Sequence, residues 1–150
     1  MNPATTIPTP ALVLGVGGLL PFILGTLLIW LGPSSVWQAW GGLVLLSYGA
    51  VILSFIGAVH WGMGLKEWQQ QQEGSLWPVL GWSVTPALVA WAALLLPPKG
   101  GLALLLLGFA AQYAVDRRTV AVGRLPAWYG RLRSLLTAGA VICLLAGWAA

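Results

Sequence analysis

The chain has 150 residues, of which 59% are hydrophobic and 7% are charged, and its mean hydropathy is +0.87. A soluble domain carries about 25% charged residues, and one small core cannot hide so large an apolar fraction, so lipid must solvate it. The net charge of +4 comes from a few basic residues beside apolar segments, which favours anionic headgroups over nucleic acid as their partners.

Five segments are long and apolar enough to cross a membrane as helices, which requires about 20 residues. They cover approximately residues 11–31, 37–64, 76–96, 101–118 and 132–148. A polar loop at about 66–74 separates the second from the third. We therefore expect an all-α, polytopic transmembrane bundle of five helices, which forms a single transmembrane domain over residues 1–150.

The basic residues favour one side of this topology. Six of them share the face of the amino terminus: Lys66, Arg117, Arg118, Arg124, Arg131 and Arg133. Lys99 lies on the opposite face. The positive-inside rule makes the richer face cytoplasmic, or matrix-side in an organelle. We expect a multi-pass protein of the bacterial inner (plasma) membrane, with the amino terminus inside and the carboxy terminus outside.

Ionisable residues inside a span are functional candidates, because the bilayer makes polar groups expensive. His60 lies about one turn inside the cytoplasmic end of the second span, and the flanking Gly57 and Gly64 predict that it faces protein. Gln112 and Asp116 are four residues apart and share a helix face at a similar depth.

Two hydroxyl residues early in the third span, Ser83 and Thr85, are expected at the same depth. The predicted polar cluster therefore contains His60, Ser83, Thr85, Gln112 and Asp116. These groups could hydrogen-bond one another and fix the bundle, or they could form a cytoplasmic-side site for a lipid headgroup, a quinone or a proton.

A metal site is not expected at His60, since zinc requires three or four ligands and this histidine has no cysteine partner. No nucleophile–base pair is visible, so we assign no catalytic residue and lean against an enzyme. The sequence identifies no cofactor.

Asp116 needs water or a cation near the headgroups. Its neighbours Arg117 and Arg118 point about 100° and 200° away on a helix. We therefore predict that Asp116 pairs with Arg131, Arg133 or His60.

The segment from Leu125 to Arg133 combines aromatic residues with arginines, as is typical of the headgroup layer. The residues that carry this pattern are Trp128, Tyr129, Arg131 and Arg133. They either anchor the helix or form a docking surface for a phospholipid or a partner protein.

Several of these motifs together resemble a bacterial membrane family called domain of unknown function 3429, to which the mitochondrial transmembrane protein 69 is similar. They are Gly18-Leu19-Leu20-Pro21-Phe22, Tyr48, Ser54-Phe55-Ile56-Gly57, His60-Trp61-Gly62, Ser83-Val84-Thr85-Pro86, Asp116-Arg117-Arg118, Leu125-Pro126, Trp128-Tyr129 and Leu132-Arg133. The resemblance implies a multi-span inner-membrane protein and brings no activity or site residues.

The leading hypothesis is a non-enzymatic accessory, assembly or structural protein that packs against membrane lipids and other membrane proteins, or against itself. Small residues recur with a spacing of four along the second span, which permits close contact between helices. These are Ala50, Ser54, Ala58 and Gly62. The alternative is a protein that binds a hydrophobic cofactor or relays protons around His60.

Overall fold

The computed structural model describes residues 6–70 and 75–150, and these ranges are all-α. The described helices are α1 (Thr9–Gly17), α2 (Leu20–Leu31), α3 (Ser35–Gln69), α4 (Trp77–Leu94), α5 (Pro98–Ala121) and α6 (Ala127–Ala149). By length and composition, α1 with α2 forms one span and each of the other four helices forms another. The predicted bundle of five transmembrane helices is confirmed over these ranges.

Several helices extend beyond the predicted spans. The second span, expected to end at residue 64, continues as α3 to Gln69, so Lys66 to Gln69 are helical and not part of a loop. Residues 71–74 of that predicted loop lie outside the described residues. Prolines explain the early starts of α5 and α6, because Pro98 begins α5 and Pro126 caps α6. Proline is pre-organised for a helix start and lacks the N–H that would remain unpaired there.

The first span is not one continuous helix. It breaks at Gly18 and Leu19, and Pro21 lies in the first turn of α2. Proline removes a backbone donor and its ring clashes with the carbonyl four residues earlier, so a helix is interrupted just before it. The hydroxyl of Tyr48, in α3, donates to the Gly18 carbonyl at 3.0 Å and satisfies this backbone group at the break.

Helix α3 lies at the centre of the bundle and packs against α2, α4, α5 and α6. Its glycines allow close approach. A Cβ atom at Gly57 would lie 2.8 Å from the Cγ of Pro86, which remains inside α4. Pro86 therefore forms part of the α3–α4 contact.

The core contains large side chains from four helices. Phe22 of α2 meets Tyr48 and Phe109 edge to face, with ring centroids 5.1 Å and 6.2 Å apart. Leu45 and Leu105 are fully buried beside them. Many leucines and tryptophans on the outside are exposed, as expected of a surface that lipid covers.

A buried polar cluster beside an apolar cavity

Three helices bring polar side chains together near the arginine-rich end of the bundle. His60 of α3, Gln112 and Asp116 of α5, and Arg133 of α6 are all buried, and Gln112 and Asp116 are fully so. The helical spacing of four puts Gln112 and Asp116 on one face of α5. We call these four residues, with Trp82 of α4, the polar cluster.

Asp116 forms the centre of the polar cluster. The Nε of Arg133 donates to its Oδ2 at 2.7 Å, and the Nε2 of Gln112 donates to its Oδ1 at 2.9 Å. The predicted pairing of Asp116 with Arg133 is thus confirmed. Both partners are N–H donors, and a group that only accepts is an ionised carboxylate. The positive charge of Arg133 is therefore balanced inside the bundle.

Gln112 sets the tautomer of His60. The indole N–H of Trp82 can only donate, and it donates to the Gln112 Oε1 at 3.0 Å, so the amide nitrogen must face the other way. That nitrogen lies 3.4 Å from the Nδ1 of His60, which must therefore accept. The imidazole is neutral, with its proton on Nε2.

The Nε2 of His60 is near Asp116 but does not form a hydrogen bond with it. Its distance to the Asp116 Oδ1 is 3.7 Å, which is too long for a hydrogen bond. His60 faces protein, as the flanking glycines predicted, and it stands beside the ion pair without closing a hydrogen bond to it.

Some buried donors in this region have no partner among the described residues. They are the Nε2 of His60, the hydroxyl of Tyr129, the Nη2 of Arg133 and the Oγ1 of Thr137. A buried polar group without a partner costs about 1–3 kcal/mol. Such groups either destabilise the fold or form hydrogen bonds with a bound molecule.

A cavity of about 470 Å³ lies beside the polar cluster. It is bordered by side chains of α1, α2, α3, α5 and α6, most of them apolar, and we call it the apolar cavity. Two of the residues with unpartnered donors, Tyr129 and Arg133, line it. Sites for small ligands have this character, since they combine a mostly apolar wall with a few placed polar groups.

Two members of the sequence-predicted cluster bond elsewhere. The hydroxyl of Ser83 donates to the Leu80 carbonyl at 2.6 Å, and that of Thr85 donates to the Gly81 carbonyl at 2.9 Å. Both bonds stay within α4, so the structure gives these hydroxyls to their own helix and not to His60.

Arg133 does not lie on the exposed surface that the sequence suggested for the segment at 125–133. That segment is largely helical, because α6 starts at Ala127, and it divides between two environments. Arg131 is exposed, whereas Arg133 is only 5% exposed and belongs to the polar cluster. Trp128 and Tyr129 line the apolar cavity.

Sequence reasoning missed Trp82 and the role of Tyr48. Trp82 lies in the second turn of α4, and a buried indole N–H usually finds a partner. Its place within the predicted third span was the sequence signal that could have identified Trp82 as a hydrogen-bond donor in the bundle. The fully buried Gln112 is the partner that such a tryptophan requires.

Within residues 6–70 and 75–150, no group of three or more His, Cys, Asp or Glu residues comes together. The unpartnered groups of Tyr129 and Arg133 can donate hydrogen bonds, which suits an oxygen acceptor.

Comparison with known proteins agrees with the membrane architecture. A family model described as a protein of unknown function (DUF3429) matches residues 7–149. The chain belongs to this family. It is a multi-pass membrane protein, and the DUF3429 description assigns no activity.

Two curated relatives of this DUF3429 chain carry the name "Transmembrane protein 69". The Xenopus tropicalis protein is 35% identical over 141 residues, which cover 91% of this chain and 53% of the relative. The Mus musculus protein is 29% identical over 135 residues, which cover 90% and 54%. The chain thus spans about half the length of the curated relatives it matches. No solved structure matches it.

Proposed function

We propose that the protein binds a lipid-soluble amphipathic molecule in the apolar cavity. The observation that carries this proposal is that Arg133 and Tyr129 line an apolar space and each has a buried donor without a partner. A ligand oxygen at this end of the cavity would offer an acceptor to these donors, while the apolar part of the ligand would fill the rest of the cavity. The cavity volume of about 470 Å³ lies within the range of small-molecule sites, roughly 300–1,000 Å³.

A cavity-filling substitution tests this proposal. Leu136 lines the apolar cavity, whereas the adjacent Leu135 is 52% exposed on the outer face of α6. Native mass spectrometry from detergent should detect a small-molecule adduct on the wild type and on Leu135→Trp, and the adduct should be absent from Leu136→Trp. An adduct of equal abundance on both variants, or none on the wild type, would contradict the proposal.

A second candidate function is that of an accessory or assembly protein that packs against other membrane proteins or against itself. It is supported by the outer face of α3, where Ala58 and Gly62 are exposed and a Cβ atom at Gly62 would meet nothing within 4 Å. A partner helix could approach closely there. Gly62→Leu should then lower the amount of a co-purifying protein, or of a second copy of the chain, that is recovered with the protein. Ala138→Leu, on the exposed face of α6, should leave that amount unchanged. An unchanged set of companions would refute it.

We further propose that residues 1–150 form one transmembrane domain in a bacterial inner membrane, with the amino terminus on the cytoplasmic side. The support is the concentration of Lys and Arg at one end of the helices. Accessibility labelling, described below, tests the orientation.

A further inference from the structure

The charges beside the apolar cavity constrain what its ligand can carry. Arg133 offers a free Nη2, but its Nε already donates to Asp116 at 2.7 Å. Arg133 therefore lines the cavity with one positive charge, and the buried Asp116 places one negative charge directly behind it. His60 adds no charge, because its Nδ1 accepts from Gln112.

An anionic head would bind beside this neutral ion pair less favourably than an uncharged head. It would gain a donor from Arg133 but would bring a second negative charge close to Asp116, inside an apolar environment where like charges repel strongly. An uncharged oxygen acceptor would take the same donors without that repulsion. The hydroxyl of Tyr129 is a second donor of the same kind.

We infer that the apolar cavity selects an amphiphile whose head is uncharged and bears a carbonyl oxygen, and that it rejects anionic phosphate or carboxylate heads. This inference rests on the proposed function and adds the chemical class of the ligand. Quinones and acylglycerols share this head chemistry. The aromatic wall formed by Phe22, Tyr48 and Phe109 favours the planar quinone ring, since aromatic rings stack on one another or meet edge to face.

Titration of the purified full-length protein with four short-chain probes tests the inference. The uncharged probes are a decyl-substituted quinone and dioctanoylglycerol, and the anionic probes are decanoate and dioctanoyl phosphatidic acid. We expect at least one uncharged probe to bind the wild type about tenfold or more tightly than either anionic probe, a difference of about 1.4 kcal/mol. The two uncharged arms distinguish a quinone from an acylglycerol.

Two variants sharpen the test. Asp116→Asn removes the negative charge that balances Arg133, so it should shift the preference towards the anionic probes by about tenfold or more. Tyr129→Phe, which keeps the polar cluster, should weaken the preferred uncharged probe by roughly five- to tenfold through loss of one donor. Tyr113→Phe is its control, because the Tyr113 hydroxyl bonds to Ser134 and does not line the cavity.

The outcomes separate the two proposals. Suppose that an anionic probe binds the wild type as tightly as the uncharged probes or more tightly, and loses this binding in Leu136→Trp. That result overturns the charge selectivity and leaves the binding function standing. Equal loss of affinity in Tyr129→Phe and Tyr113→Phe overturns the assigned hydrogen bond from Tyr129 to an uncharged head, and this comparison remains available if Asp116→Asn does not fold. If no probe binds the wild type, the binding function itself is refuted.

Discussion

Gln112 is the residue on which the polar cluster depends. Its amide oxygen accepts from Trp82, and its amide nitrogen donates to Asp116 and approaches His60. An amide has one acceptor end and one donor end, so the indole of Trp82 determines which end the other two residues meet. The protonation of the histidine is thus determined by a tryptophan that it does not hydrogen-bond.

His60 is the only histidine in the chain, so an imidazole ¹⁵N NMR spectrum reports on this side chain alone. We expect a neutral ring with the proton on Nε2. Trp82→Phe removes the donor that orients Gln112 and should produce a mixture of tautomers. Trp128→Phe, which alters a tryptophan outside the polar cluster, should leave the spectrum unchanged. A proton on Nδ1 in the wild type would contradict the assigned hydrogen bonds.

Removal of the charge on Asp116 leaves Arg133 buried without its counter-ion. Breaking a buried pair in this way costs about 3–5 kcal/mol, so Asp116→Asn should clearly lower the melting temperature in detergent. Glu67→Gln is the comparison, because Glu67 pairs with Arg124 at the protein surface at 2.6 Å. Exposed pairs contribute about 0–1 kcal/mol. Equal melting temperatures for the two variants would show that the Asp116 pair is not the stronger one.

At the scale of helices, the contacts of α3 with its neighbours depend on individual glycines. A Cβ atom at Gly41 would lie 2.6 Å from the Gly25 carbonyl oxygen and 2.8 Å from the Ile29 nitrogen, both of them backbone atoms of α2. Neither atom can move aside as a flexible side chain could. The backbones of α2 and α3 are therefore in direct contact, as small residues permit between membrane helices.

The adjacent Gly41 and Gly42 form a matched pair for testing this contact. A Cβ atom at Gly42 would meet nothing within 4 Å, and alanine is favoured over glycine inside a helix by up to about 1 kcal/mol. Gly42→Ala should therefore keep or slightly raise the melting temperature, whereas Gly41→Ala should lower it because α2 must shift. A Gly41→Ala protein as stable as the wild type would disprove the close contact.

For the whole molecule, the ion pairs show which helix ends lie together. Glu67 at the end of α3 binds Arg124 between α5 and α6, and Asp116 near the end of α5 binds Arg133 near the start of α6. The other basic residues thus lie at one end of the bundle, while Lys99, in the first turn of α5, lies at the other. A topology with alternating helix directions accounts for this distribution.

Cysteine labelling tests the proposed orientation of this bundle. In a Cys143→Ser background, which removes the single native cysteine, we expect a membrane-impermeant maleimide to label Ser34→Cys in intact bacterial cells. Val122→Cys, at the opposite end, should react only after permeabilisation. The reverse pattern would invert the orientation, and labelling of both positions from outside would contradict a bundle that spans the membrane.

The hydrophobic lengths in the sequence were enough to predict five spans, because lipid demands long apolar helices whatever their packing. Apolar length alone did not place the break before Pro21 or the helical start at Ala127, since these positions are set by Pro21 and Pro126. The pairing of Asp116 followed from the expense of a charge in the bilayer. The absence of Ser83 and Thr85 from the polar cluster could not be predicted in the same way, because a hydroxyl in lipid can bond to its own helix as readily as to a neighbour.

The break in the first span bears on how the chain is made. A membrane helix usually satisfies its backbone within itself, and so it can enter the bilayer alone. Here the Gly18 carbonyl accepts from Tyr48, which lies 30 residues later in the chain. Since chains are made from the amino terminus, the first span emerges with an unsatisfied carbonyl until α3 joins it. The first two spans should therefore leave the translocon as a pair.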